Sequence, residues 1–102
     1  MTGEEFIKLV EQTFKECVDI VKKKNPSYAN NDNRIANYDH AARIYGLDGA
    51  DYILMRTEEK MYRIGNILRN GGNITDDESL EETLKDNINQ LVFALLRLKG
   101  EI

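Results

Sequence analysis

Apolar residues recur along three stretches of this chain at steps of three and four, the repeat of one face of an α-helix. Toward the end the run is Leu80, Leu84, Ile88, Leu91, Leu95 and Leu98. In the middle it is Ile53, Leu54, Thr57, Met61, Ile64 and Leu68, and near the start Phe6, Leu9, Val10, Thr13, Cys17, Ile20 and Val21. No stretch alternates with the period of two that a half-buried strand requires. "LVFALL" is apolar throughout but sits inside a helical repeat. The expectation is an all-α chain: a single domain over residues 1–102, folded as a small antiparallel bundle. Each apolar run is expected to be the core-facing stripe of its helix.

Local chemistry marks where the helices begin and end. Thr2 followed by Glu5 reads as a capping box, in which hydroxyl and carboxylate each take an unpaired amide of the first turn. Lys22, Lys23 and Lys24 suit a helix C-terminus, and Pro26 is expected to force Asn25 out of helical geometry and close the segment. A short helix is expected over Asn37 to Tyr45, with Gly46 as its left-handed stop. Asp48 caps a helix running to about Arg69, ended by Asn70-Gly71-Gly72. Thr75 with Glu78 forms a second capping box, opening a helix to about Lys99.

The length, 102 residues, fits one domain, and the 41% hydrophobic content supports a core. A chain this small buries a modest share of its surface, so a homo-oligomer is expected, a dimer or a multiple of dimers. The net charge of −4 argues against a duplex nucleic acid partner, which calls for a basic face. It does not exclude small phosphorylated ligands, which need only a few placed cations. One cysteine allows no intramolecular disulfide. No apolar run is long enough to span a membrane and no signal peptide is apparent, so the expected compartment is the cytoplasm.

Two polar columns could carry chemistry. On the last helix Glu78, Glu82, Asp86 and Asn89 fall on one line, where side chains lie above one another. Three acids in a column could hold magnesium, which takes oxygen ligands. The column lies opposite the leucine stripe, where a plain solvated face would also lie, but Phe93 and Leu96 continue it and suggest that something covers it. On the preceding helix Arg56, Glu59, Lys60 and Arg63 form either an ion-pair ladder or a phosphate clamp. Between the first helix and Asp48 lies an asparagine-rich stretch holding the single proline and the single histidine. Its aromatics, Tyr28 and Tyr38, could stack on a base or cap the core. His40 has no nucleophile–base pair built around it, and a lone histidine is more often structural.

Together "KNPSYANNDNRIANYDHA", "GLDGADYILMRTEEKMYRIGNIL" and "DESLEETLKDNINQLVFALL" resemble a family of small helical phage and prophage proteins. That family is known as a nucleotide-modification-associated domain and is compared with the all-α, MazG-like nucleotide pyrophosphatases. The resemblance covers about residues 22 to 97. It rests on Lys24, Asn25 and Tyr28; on Asp32 and Asn37-Tyr38; on Arg56, Glu59, Lys60 and Arg63; and on Asp77, Glu78, Ser79, Glu82, Asp86 and Asn89. Glu stands at 59 and 82 where the family more often has Asp, and Gln90 where it has Tyr. Against the MazG-like enzymes the middle helix lacks a third acid beyond Glu58-Glu59, which thins the magnesium cluster.

The resemblance implies a nucleotide or nucleotide-derived ligand. Tyr28, Asp32, Arg34, Asn37, Tyr38 and His40 would form a lid over it, and Arg56, Lys60, Arg63 and Asn89 would bind it. Glu78, Glu82 and Asp86 would hold magnesium, with Glu59 as catalytic base. Three functions are open on this reading: a magnesium-dependent nucleoside triphosphate pyrophosphohydrolase, a non-catalytic protein that sequesters a nucleotide signal of a host defence system, and a helical protein-interaction module. The thinned acid cluster favours binding over hydrolysis.

Overall fold

The computed structural model describes residues 1–28, 32–72 and 78–102, the side chains of residues 27, 28, 78 and 79 excepted. It is all-α. Four helices follow one another: α1 (Gly3–Tyr28), α2 (Ala36–Ile44), α3 (Gly49–Arg69) and α4 (Glu78–Leu98). Among the described residues there is no strand.

The helix ends follow the local signals closely. Thr2 N donates to Glu5 Oε2 at 3.2 Å and Glu5 N to Thr2 Oγ1 at 3.1 Å, closing the capping box of α1. Asp48 Oδ1 accepts from Ala50 N at 2.9 Å and caps α3. Gly46, Gly71 and Gly100 all have positive φ. At each, the glycine N–H and the one after it turn back to carbonyls of the last helical turn, for instance Gly46 to Arg43 and Leu47 to Ala42. This double bond pattern satisfies carbonyls that the helix leaves open. The capping box at Thr75 lies outside the described residues.

Pro26 does not end α1. The helix carries it in its last turn and continues to Tyr28. There the proline removes a single amide donor, the one that would serve the Lys22 carbonyl four residues back, and only two helical residues follow it.

The α3–α4 hairpin is the centre of the fold. Ile53 and Ala94 share the core with Ile35, Tyr38 and Ala50, and further along Thr57 Oγ1 donates to Gln90 Oε1 at 3.3 Å. Part of the asparagine-rich stretch is packed into this core through α2. Ile35, Tyr38 and Ala42 are among the most buried side chains, and they make α2 a fixed wall on α3. Arg97 locks that wall. Its guanidinium forks onto both Asp39 oxygens at 2.9 and 2.8 Å, and also reaches Asp48 at 3.2 Å. Gly49 leaves the room this requires, since a Cβ there would collide with the Asp39 carboxylate.

The hairpin buries a different face from the one its leucines mark. Leu84, Leu91, Leu95 and Leu98 are exposed, as are Leu54, Met61 and Leu68 of α3; only Leu80, Ile53, Thr57 and Ile64 of the two stripes are buried. What α4 turns inward instead is Asn87, Asn89, Gln90 and Ala94. α1 docks on that polar side through its second half. Asn89 Nδ2 donates to the Cys17 carbonyl at 2.9 Å, and Lys85 Nζ lies 3.0 Å from Glu16. Burial holds the Cys17 thiol pKa above its ordinary value. The first turns of α1 are left open: residues 1–15 are all exposed.

Candidate functional site

Where α1, α2 and the hairpin converge, they leave a cavity of about 340 Å³. Each element presents neighbours one turn apart, which is why several side chains reach one space. α3 supplies Tyr52, Arg56 and Lys60, each four residues from the last; α4 supplies Asp86 and Gln90; α2 supplies Asn37, Tyr38 and Ala41; α1 supplies Lys24.

Three cations face one carboxylate here, and that carboxylate is engaged. Lys24 Nζ donates to both oxygens of Asp86, at 3.2 and 3.3 Å. Lys60 has its pKa lowered, first by burial and then by the neighbouring Arg56 charge. A cation held at such a cost is one that an incoming anion would relieve. Tyr38 packs between Tyr52 and Phe93, with ring centroids 6.5 and 6.3 Å apart and both pairs tilted by 49°. Thr57 occupies the Gln90 carbonyl oxygen, so the Gln90 amide nitrogen is the end with hydrogen-bonding capacity to spare. A second hollow of about 270 Å³ adjoins along α3, sharing Arg56 and Lys60 and adding Glu59, Tyr62 and Arg63.

Of the residues expected to form a site, Asn37, Tyr38, Arg56, Lys60 and Asp86 meet in the cavity. Glu59 and Arg63 face the adjoining hollow and not Asp86. Asn89 is not a ligand-facing residue: it is buried and its amide is committed to the α1 backbone, because α1 packs on this side of α4. His40, Asp32, Arg34 and Glu82 are exposed and line neither space. The side chains of Tyr28 and Glu78 lie outside the described residues.

Sequence reasoning left Lys24, Tyr52 and Gln90 off the site. Two of them had a readable signal: Tyr52 stands four residues before Arg56, and Gln90 four after Asp86. Lys24 becomes a site residue only through the docking of α1 on α4. Among the described residues no three His, Cys, Asp or Glu side chains cluster closely enough to hold a metal ion. In the cavity a single acid, already paired with a lysine, faces two further cations, a charge balance that suits an anion better than a dication.

Compared with known proteins, the chain matches no family model, no curated protein and no solved structure. Among the described residues no helix is long and apolar enough to cross a membrane.

Proposed function

We propose that this protein binds a small anionic ligand with a planar aromatic group, a nucleotide or nucleotide derivative, in the cavity between α2 and the α3–α4 hairpin, and that it does so without hydrolysing it. The observation that carries this reading is the lining itself: Lys24, Arg56 and Lys60 against one paired carboxylate, beside two tyrosines and two side-chain amides. Arginine forks suit phosphate oxygens, and lysine adds a compact charge. Amides suit the donor and acceptor edge of a base, and tyrosines its face. The volume of about 340 Å³ is at the small end of ligand cavities and fits one nucleoside; the adjoining hollow offers Arg63 to further phosphates.

Against hydrolysis stands the position of Glu59, which lines the adjoining hollow and not the cavity with Asp86; among the described residues, moreover, no three acids cluster closely enough for a metal. Retention of an unaltered nucleotide, as a protein that sequesters a signal would achieve, is the activity this arrangement serves.

The test is titration calorimetry against a panel of nucleoside mono-, di- and triphosphates and cyclic nucleotides, with and without magnesium, followed by chromatography of the mixtures. One panel member should bind with a Kd in the micromolar range, on the order of −8 kcal/mol, and be recovered intact. Lys60→Met and Arg56→Met should each weaken it at least tenfold. Millimolar binding throughout, or unchanged affinity in both variants, would overturn the reading; released pyrophosphate would restore the hydrolase.

A further inference from the structure

The face of the hairpin opposite the cavity is apolar and regular, and among the described residues most of it is left exposed. On α4 it carries Leu84, Ile88, Leu91, Leu95 and Leu98, at steps of four, three, four and three. On α3 it carries Leu54, Met61 and Leu68, seven residues apart. Since Thr57 meets Gln90 across the antiparallel pair, these two rows run side by side. Except for Ile88, which is half-buried, all are exposed, Met61 by 58% and Leu95 by 56%. The uncovered half of α1 extends the surface: Phe6, Leu9, Val10 and Phe14 line an apolar hollow of about 490 Å³ together with Ile88 of α4.

We infer that a second copy of this chain covers this face, joining two α3–α4 hairpins about a twofold axis into a four-helix bundle. Alternating steps of three and four average 3.5 residues, the repeat that keeps a helix seam facing another helix over several turns. A face of that kind is self-complementary when two hairpins meet antiparallel. Area points the same way. The chain exposes 7393 Å², whereas a folded monomer of its mass exposes about 5,900 Å². The excess, about 1,500 Å², exceeds the roughly 800 Å² that each partner gives to a standard interface. The radius of gyration is 15.4 Å, against about 13 Å for a compact chain of this length. Charge disfavours a lipid surface as the occupant: Glu4, Glu5, Lys8, Glu11 and Lys15 flank the apolar side of α1 with mixed sign, and the chain is net negative. The cavity faces away from this surface, so each copy keeps its own site.

Sedimentation equilibrium of the full chain at about 10 µM should return twice the chain mass, and the thermal midpoint should rise with protein concentration, as for any fold linked to association. Leu91→Glu combined with Leu95→Glu, two exposed positions, should abolish the dimer. Met61→Glu, on the other helix, should weaken it at least tenfold, which keeps the test informative if the double variant does not fold. A wild-type monomer at 100 µM with a concentration-independent midpoint would overturn the inference. So would a Met61→Glu variant that dimerises as tightly as the wild type, or a monomer that sediments with phosphatidylcholine–phosphatidylglycerol vesicles.

Discussion

Replacing Arg97 by methionine should cost this fold about 3 kcal/mol. The guanidinium ties α4 to α2 and to the loop before α3. It donates to Asp39 at 2.9 and 2.8 Å, to Asp48 at 3.2 Å and, through Nε, to the Ile102 carbonyl at 2.9 Å. The Asp39 and Arg97 side chains are only 18% and 19% exposed, so the Asp39 carboxylate would be stranded away from water. Removing one member of a buried pair costs about 3–5 kcal/mol. The lower end applies because Asn33 Nδ2 still donates to Asp39 at 2.6 Å. With about 2.1 cal/mol/K of unfolding entropy per residue, 3 kcal/mol corresponds to a Tm lower by about 14 °C. The assay is thermal and urea unfolding followed by circular dichroism.

The same pair sets an acid dependence. The Arg97 fork holds the Asp39 pKa below its ordinary value, with burial opposing and Asn33 assisting. A carboxyl whose folded pKa is depressed stabilises fully above its unfolded value, about 3.9. That contribution is lost as pH falls through the folded value. The gap between wild type and Arg97→Met should therefore be constant near neutrality and shrink in acid. Gly49→Ala perturbs the pair from the other side, by pushing a Cβ into Asp39. Its cost should be smaller in the Arg97→Met background than in the wild type. A loss under about 1 kcal/mol for Arg97→Met, or a gap that does not change with pH, would refute the reasoning.

Asn87 is 5% exposed and both of its side-chain polar atoms lack a hydrogen-bond partner among the described residues. Asn87→Leu should therefore raise stability by about 1–2 kcal/mol, read as a higher urea midpoint; a lower midpoint would mean that the amide holds a buried water. Gly46→Ala should cost about 1 kcal/mol by the same assay, since φ is +68° and open space surrounds the site, and an unchanged midpoint would count against the left-handed stop. Because the Lys60 pKa is lowered by burial and by Arg56, anion binding should weaken as pH rises into the alkaline range. Calorimetry of the tightest panel nucleotide at neutral and alkaline pH should show Lys60→Arg losing less affinity than the wild type; equal losses would remove Lys60 from the site.

The sequence by itself determined the helices and their ends, because those depend on groups a few residues apart. Thr2 and Glu5 find each other across one turn, Asp48 reaches Ala50, and Gly46 and Gly71 adopt the left-handed geometry that lets backbone amides return to the preceding turn. Pro26 is the exception, since one missing amide in a final turn does not overcome the helix already built before it. The columns of Arg56 and Lys60 and of Asp86 were legible for the same reason, being set by helical spacing alone.

Which face each helix buries was decided only in the tertiary structure. The leucine row of α4 is its most apolar side, yet α1, α2 and α3 gather around the flank that carries Asn89, Gln90, Asp86 and Arg97. Those polar groups find partners 72, 33, 62 and 58 residues away. A buried polar side chain is tolerable only once such a partner is in place. Periodicity measures how apolar a face is; it carries no record of a carbonyl on Cys17 or a carboxylate on Asp39 arriving from another part of the chain. For the same reason Lys24, marked in the sequence only by the family resemblance and given no role there, joined the site when α1 set it against Asp86.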